Sequence, residues 1–382
     1  MIGQCAIAPL DEVCYSTMMP IPLLLHGRHA TTPVHYEPFG PWIVPWRFAD
    51  AQDEYRALRT ATGLIDYSTQ ALLTVTGNDR ADFLHRVLTN EIRRLTPGAG
   101  CRAALLTASA KLLADLLVLV EAEAIRLLCD LPRAQTVAQT LARYLFAEAV
   151  TVHNGERQTA VLALQGPKTL DILSHVTGSP VALTRAGDHA VPRLDGIPLH
   201  VIHHSLIGEA GVLCLIAPEQ LDMAWRILQD RGRALGLMPV GWEALNTARI
   251  EAGVPWFGLD MDEDNLLPET GLEAVAVSDS KGCYVGQEIV ARMQTYGSAS
   301  KKLMGLIVSA DEVPQAGDPI DQHGEEAGRV TSGCFSWTLN RPIAMGYVKR
   351  GTYEPGTAVD ILRGERRLAA LVASRPLVPA GS

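Results

Sequence analysis

A mixed α+β body followed by a small antiparallel β-barrel is the fold that the sequence predicts for this 382-residue chain. Three observations lead there. The length exceeds what one ordinary core absorbs, and a hydrophobic content of 47% is enough to bury two or three. From about residue 37 to residue 297, runs of strand character alternate with runs of helical period. After Ser300 the pattern changes to short apolar strands broken by turn residues, as in a barrel or sandwich of roughly 80 residues.

Residues 1–34 hold scattered Pro, Gly and His without a sustained period and read as an N-terminal extension. The body is expected over 35–297. Residues 53–62 read as a helix, 63–67 and 72–77 as strands, and Asn78 or Asp79 is placed to cap a helix over 80–88 whose Phe83, Leu84 and Val87 share one face. The apolar runs 103–107 and 112–120 bracket Ala108-Ser109-Ala110 as neighbouring strands of a hairpin. A strand over 124–129 and a helix over 133–147 follow. Residues 159–164 form the next strand, and Gly166-Pro167 opens a helix, where an early proline forfeits no hydrogen bond. Strands over 199–203 and 212–216 and helices over 218–231 and 241–251 complete the body. The barrel, expected over 300–378, takes strands from 303–308, 326–332, 343–348, 358–362 and 368–372, with a hairpin turn at Arg363-Gly364-Glu365.

A formal net charge of −9 excludes a broad nucleic-acid or anionic-membrane surface, so an anionic ligand must find a local basic pocket. Seven cysteines are scattered without a C-x-x-C or a Cys/His metal spacing. That pattern fits reduced thiols and a cytoplasmic setting, and no metal site or permanently held cluster. The apolar patch at 21–25 lacks a basic leader and does not read as a signal peptide, and the segment 103–120 carries Lys111 and Asp115, so no membrane span is expected. His203-His204 reads as a polar strand edge, the acids Asp260, Asp262, Glu263 and Asp264 as a solvated loop, and Trp42, Trp46 and Trp256 as packing.

Residues 281–288, K-G-C-Y-V-G-Q-E, set a cysteine between glycines just ahead of a helical run. A thiol beside Lys281 and a helix N-terminus ionises readily. The alternative is a turn with a small packing cysteine.

Six separated stretches resemble, in order, the glycine-cleavage T-protein (aminomethyltransferase) superfamily. They are Gly63-Leu64-Ile65-Asp66, Ala163-Leu164-Gln165-Gly166-Pro167, Gly208-Glu209-Ala210-Gly211, Arg249-Ile250-Glu251-Ala252-Gly253, Pro268-Glu269 and Gly328-Arg329-Val330-Thr331-Ser332-Gly333. Within it, the 281–288 motif followed by Arg292 looks like the YgfZ-type folate-binding branch, associated with maturation or repair of iron–sulfur enzymes. The resemblance implies a folate-binding body of two intertwined α/β subdomains, tetrahydrofolate as cofactor, and iron–sulfur client or assembly proteins as partners.

On that resemblance, Glu209 is the candidate for the pterin edge, since a carboxylate matches adjacent N–H donors. Arg249 is the candidate cation for the folate tail, or else the ion-pair partner of Glu251 or another acid. Asp115, Tyr284 and Arg292 join the cofactor set, with Arg292 also placed for an i,i+4 pair with Glu288. Cys283 and Lys281 are the candidate catalytic pair, a reactive thiol at the edge of the folate cleft with Tyr284 walling one side. The family's Gly-Gly-x-x-Asp-Asp-Leu stretch falls on residues 109–116, where Ala114 replaces the first aspartate and Asp115 is expected to face the other way. This departure favours a folate-binding accessory role in iron–sulfur assembly over the alternative, a folate-dependent aminomethyl- or methyltransferase. The sequence leaves open whether the protein is an enzyme.

Overall fold

The computed structural model describes residues 20–28, 34–296 and 299–381, so most of the expected extension, with Cys5 and Cys14, lies outside the described residues. A three-stranded sheet (Ile21–Pro22, Trp42–Arg47, His35–Phe39) leads into helix Ala51–Thr60. Asp50 starts that helix by accepting the backbone N–H groups of Gln52 at 2.9 Å and Asp53 at 3.3 Å, donors that otherwise lack partners in a first turn.

Two sheets make the body. A six-stranded sheet runs in the order His189–Ala190, His200–His203, Gly211–Ile216, Ala160–Gln165, Thr62–Asp66, Leu237–Pro239. A five-stranded antiparallel sheet runs Gly100–Leu106, Leu112–Val120, Ile125–Asp130, Gln70–Thr76, Thr151–Gly155. The chain enters the first sheet at Thr62–Asp66, crosses at Tyr67-Ser68-Thr69 into the second, and returns only at Ala160–Gln165, which interweaves the two halves. Both faces of the central strands are buried, and the two-residue alternation of side chains divides the core. Ile65, Val161 and Ala163 pack into the core shared with the five-stranded sheet, while Leu64, Leu162 and Leu164 pack with helices Thr169–Thr177 and Leu221–Gly232. Close packing at this centre explains Gly63, where a Cβ would lie 2.6 Å from Leu58 and 2.7 Å from Val240.

The C-terminal part is a closed six-stranded antiparallel barrel in the order Lys301–Val308, Arg341–Lys349, Glu325–Ser336, Pro319–Gln322, Ala358–Arg363, Arg366–Ala373. The short Pro319–Gln322 strand escapes sequence reading because Pro, Asp and Gln hide its alternation, yet it closes the barrel. Helix Trp242–Glu251 seats the barrel on the body: the hydroxyls of Ser332 and Ser336 on the longest barrel strand engage Arg249 and Glu251. Among the described residues, no helix is long and apolar enough to cross a membrane.

Candidate functional site

Between the five-stranded sheet and the segment that follows helix Trp242–Glu251 lies a cavity of two chambers that share Tyr67, Asp130, Trp256 and Phe257. The inner chamber, about 60 Å³, is lined by Gln70, Arg102, Asp115, Leu117, Leu128 and Asp130 from the sheet, with His204, Leu206 and Leu213 opposite. Strand register puts these polar groups together. Arg102 pairs with Leu117 and Ala104 with Asp115, so Arg102 and Asp115 emerge from one face of adjacent strands. Gln70 lies directly across from Asp130 on the same face.

Arg102 holds Asp115 in a bidentate pair, its Nε reaching the two carboxylate oxygens at 2.8 and 3.1 Å and its Nη2 closing on Oδ2. Asp130 has a weaker partner, the Gln70 side-chain amide at 2.7 Å. Burial pushes the Asp130 carboxyl up to about 6, with the charge of Asp115 adding to the shift. Burial lowers His204 to about 4, with Arg102 contributing, so this imidazole is neutral at physiological pH. Burial, Asp130 and Asp115 raise the Tyr67 phenol, which stays protonated. The outer chamber, about 340 Å³, has walls of Phe39, Trp42, Tyr67, Trp242 and Trp256. The tryptophans are packing residues, as the sequence suggests, and their faces also form this wall.

Of the seven residues singled out from the sequence, the cavity gathers only Asp115. Glu209, 9% exposed, accepts Arg59 Nη1 at 3.4 Å and the backbone N–H of Gly381 at 2.8 Å outside both chambers. Arg249 pairs with Asp260, not with Glu251, and its guanidinium lies 4.7 Å from the Trp256 ring centroid, behind the cavity wall. Asp260 is therefore a buried counter-ion and not part of a solvated loop. Lys281 is buried and donates to the carbonyls of His85 in the last turn of helix Arg80–Val87 and of Leu88 and Asn90 just past it. Tyr284 packs with Leu106, Ala110, Leu112 and Val290. Cys283 is exposed, and Arg292 forms the exposed i,i+4 pair with Glu288 at 2.7 Å. Gly286 explains the loop's course: its φ is +84° and a Cβ would stand 2.9 Å from the Thr107 carbonyl oxygen, so the motif leans on the 107–110 turn.

Arg102 and Asp130 do not stand out in the sequence because each is a single charge beside apolar residues, and Gln70 because it follows the polar pair Ser68-Thr69 at the start of a strand. The one available signal is a charged residue at a strand position whose immediate neighbours are apolar. The expectation for Asp115 is reversed: Ala114, 1% exposed, packs in the hydrophobic core, and Asp115 is the residue that faces the cavity.

A body of two interwoven sheets carrying a closed barrel, with a carboxylate-lined cavity against the second sheet, is one architectural class, and comparison with known proteins identifies both parts of it. Residues 25–280 match the GCVT N-terminal domain and residues 301–379 the glycine cleavage T-protein C-terminal barrel domain. The chain belongs to the glycine cleavage T-protein family. It is 30% identical over 343 residues to an aminomethyltransferase of Bacillus subtilis, covering 88% of this chain and 93% of the relative. It is 29% identical over 364 residues to an aminomethyltransferase of Streptomyces avermitilis, covering 94% and 98%. The crystal structure of the glycine cleavage system aminomethyltransferase T from Bartonella henselae superposes with a TM-score of 0.85 at 25% identity, over 94% of this chain and 98% of that one.

These findings overturn the iron–sulfur accessory reading and its expected client proteins. The full-length likeness is to aminomethyltransferases, and the thiol on which that reading leaned sits on the surface outside the cavity. Aminomethyltransferases of this family use tetrahydrofolate as substrate or cofactor. The residues present fit such a ligand. The buried indole N–H of Trp256, on a residue lining both chambers, has no hydrogen-bond partner among the described residues, and carboxylates and a side-chain amide face the same space as the aromatic walls.

Proposed function

We propose that the protein is a tetrahydrofolate-dependent aminomethyltransferase. The observation that carries this reading is the orientation of Asp115, a carboxylate aimed into the cavity and fixed in place by Arg102 on the neighbouring strand. Bound tetrahydrofolate supplies a pair of amine nitrogens that accept a one-carbon unit. The protein supplies placement and charge. Aromatic faces of the outer chamber hold flat rings, and the Gln70 amide and Trp256 N–H offer directional hydrogen bonds. As an aminomethyl group gives up its nitrogen, positive charge develops on carbon. A carboxylate already oriented in a partly dry cavity stabilises that charge without reorganising. The finer likeness to the YgfZ-type branch rests on the 281–288 loop. In our reading that loop is a brace, with Lys281 tying it to the end of helix Arg80–Val87, and it takes no part in the transfer.

The test is ammonia release from an aminomethyl-loaded lipoyl carrier protein in the presence of reduced folate. Wild type is expected to turn over, and Asp115→Asn to lose about 100- to 1,000-fold in kcat, the loss seen when one oriented electrostatic group is removed, with folate affinity by calorimetry kept within a few-fold. A wild-type protein that binds reduced folate and releases no ammonia overturns the reading.

A further inference from the structure

We infer that Asp130 is a second functional carboxyl of the cavity, one that carries the proton which the leaving nitrogen needs. The inference rests on the transferase reading above and adds a role that Asp115 cannot fill. Both carboxyls project from the same face of adjoining strands: the antiparallel register that sets Leu117 against Leu128 runs on, two residues further, toward Asp115 and Asp130. Like charges so placed oppose each other, and two carboxylates sharing one space part their roles when their partners differ.

Their partners do differ. Arg102 spends its fork on Asp115. Arg133, just beyond Asp130, is ion-paired with Glu263 and donates its Nε to the Leu113 carbonyl at 3.1 Å. Among the described residues Asp130 is left with a neutral amide, that of Gln70. The other groups facing it are the Tyr67 phenol from the crossover, neutral His204 across the inner chamber, and the acids Asp262 and Glu263 of the outer one. No cation is dedicated to this carboxyl, and every further charge it faces except the two engaged arginines is negative. An acid so surrounded holds its proton close to neutral pH, which agrees with its elevation to about 6 by burial and Asp115.

Asp130 also lines both chambers, so it stands where material in the aromatic outer chamber meets the polar inner one. The step balances without another reactant. As the C–N bond of the aminomethyl group opens, its electron pair stays with nitrogen and the Asp130 proton moves to that nitrogen, which departs as ammonia. The carboxylate then recovers a proton from the amine nitrogen that has formed the new bond to carbon.

The experiment compares wild type with Asp130→Asn, which keeps the shape and a hydrogen-bonding oxygen. Infrared titration reads the protonated carboxyl band from about pH 4 to about pH 8, a window spanning ordinary and raised carboxyl values. Asp66 is likewise raised to about 6, but it is fully buried against the backbone N–H groups of Leu25 and Ser68, so the wild-type-minus-variant difference isolates Asp130. A difference band with a midpoint near pH 6 is expected, together with a kcat loss of about 100-fold, typical of a lost general acid, and unchanged folate affinity. Absence of that band, or a variant that keeps wild-type kcat, overturns the inference. Should wild type release no ammonia at all, the transferase reading falls, while the infrared band still decides where the proton sits.

Discussion

Replacing Arg249 by methionine separates two roles for a cation beside the cavity, and the structure sets the magnitude. Its side chain is 1% exposed and its counter-ion Asp260 is fully buried. Besides that pair, Arg249 donates to Ser332 Oγ at 2.7 Å and to Asn246 Oδ1 at 2.9 Å, and it stacks on Trp256. Removing one member of a buried pair costs about 3–5 kcal/mol, because the other charge stays behind uncompensated. Asp260 retains the Thr331 hydroxyl at 2.7 Å, the Ser332 hydroxyl at 2.6 Å and the Trp256 backbone N–H at 3.0 Å, which places the loss at the low end. Adding the stacking contribution, about 0.5–1 kcal/mol, gives an expected destabilisation of about 3–4 kcal/mol. Urea unfolding followed by tryptophan fluorescence measures it. Arg249→Met combined with Asp260→Asn should be less destabilised than the sum of the two single changes by at least about 1 kcal/mol, as for residues in direct contact. If Arg249→Met unfolds within about 0.5 kcal/mol of wild type, the range of a neutral surface change, and loses folate affinity instead, the cation serves the ligand's carboxylates and the structural account of the pair is wrong.

Two further outcomes concern the 281–288 loop. Lys281→Met strands three carbonyl oxygens, one in the last turn of helix Arg80–Val87 and two just past it, and should cost about 2–3 kcal/mol; an unchanged melting temperature by differential scanning calorimetry would contradict the brace role. Cys283→Ser, at an exposed position outside both chambers, should change neither melting temperature nor ammonia release, and a loss of turnover in that variant would return the thiol to the reaction.

Much of the architecture could be read along the chain because its elements carry their own periodicity. The hairpin Gly100–Leu106/Leu112–Val120, helix Trp242–Glu251 and the change of character at Ser300 all follow from local pattern. The barrel strand Pro319–Gln322 did not, since it exists only because its neighbours pair with it on both sides. The site was harder still. Glu209, Arg249 and Lys281 have the residue types a ligand or reaction would want, but in each case the fold already uses the charge: Arg59 and Gly381 hold Glu209, Asp260 holds Arg249, and three carbonyls hold Lys281. A charge in a motif can be spent on the scaffold, and only its partners tell which.

The reversal at Ala114 and Asp115 has a specific physical origin. In a strand covered on one side, hydrophobic alternation tells which residues face inward, and a shift of one residue would be obvious. The strand Leu112–Val120 is covered on both: Ala114, Leu116, Leu117 and Val118 all belong to the main core, and the successive residues Leu116 and Leu117 both border the cavity. Alternation is thereby erased, and one alanine next to one aspartate leaves the phase undetermined. What sets the phase is the partner strand, where a register shift between Leu105 and Leu106 lets Ala104 oppose Asp115 and brings Arg102 into reach of the carboxylate. The aspartate the cavity uses is therefore defined by its contact with Arg102, thirteen residues earlier, and not by its place in a two-residue motif.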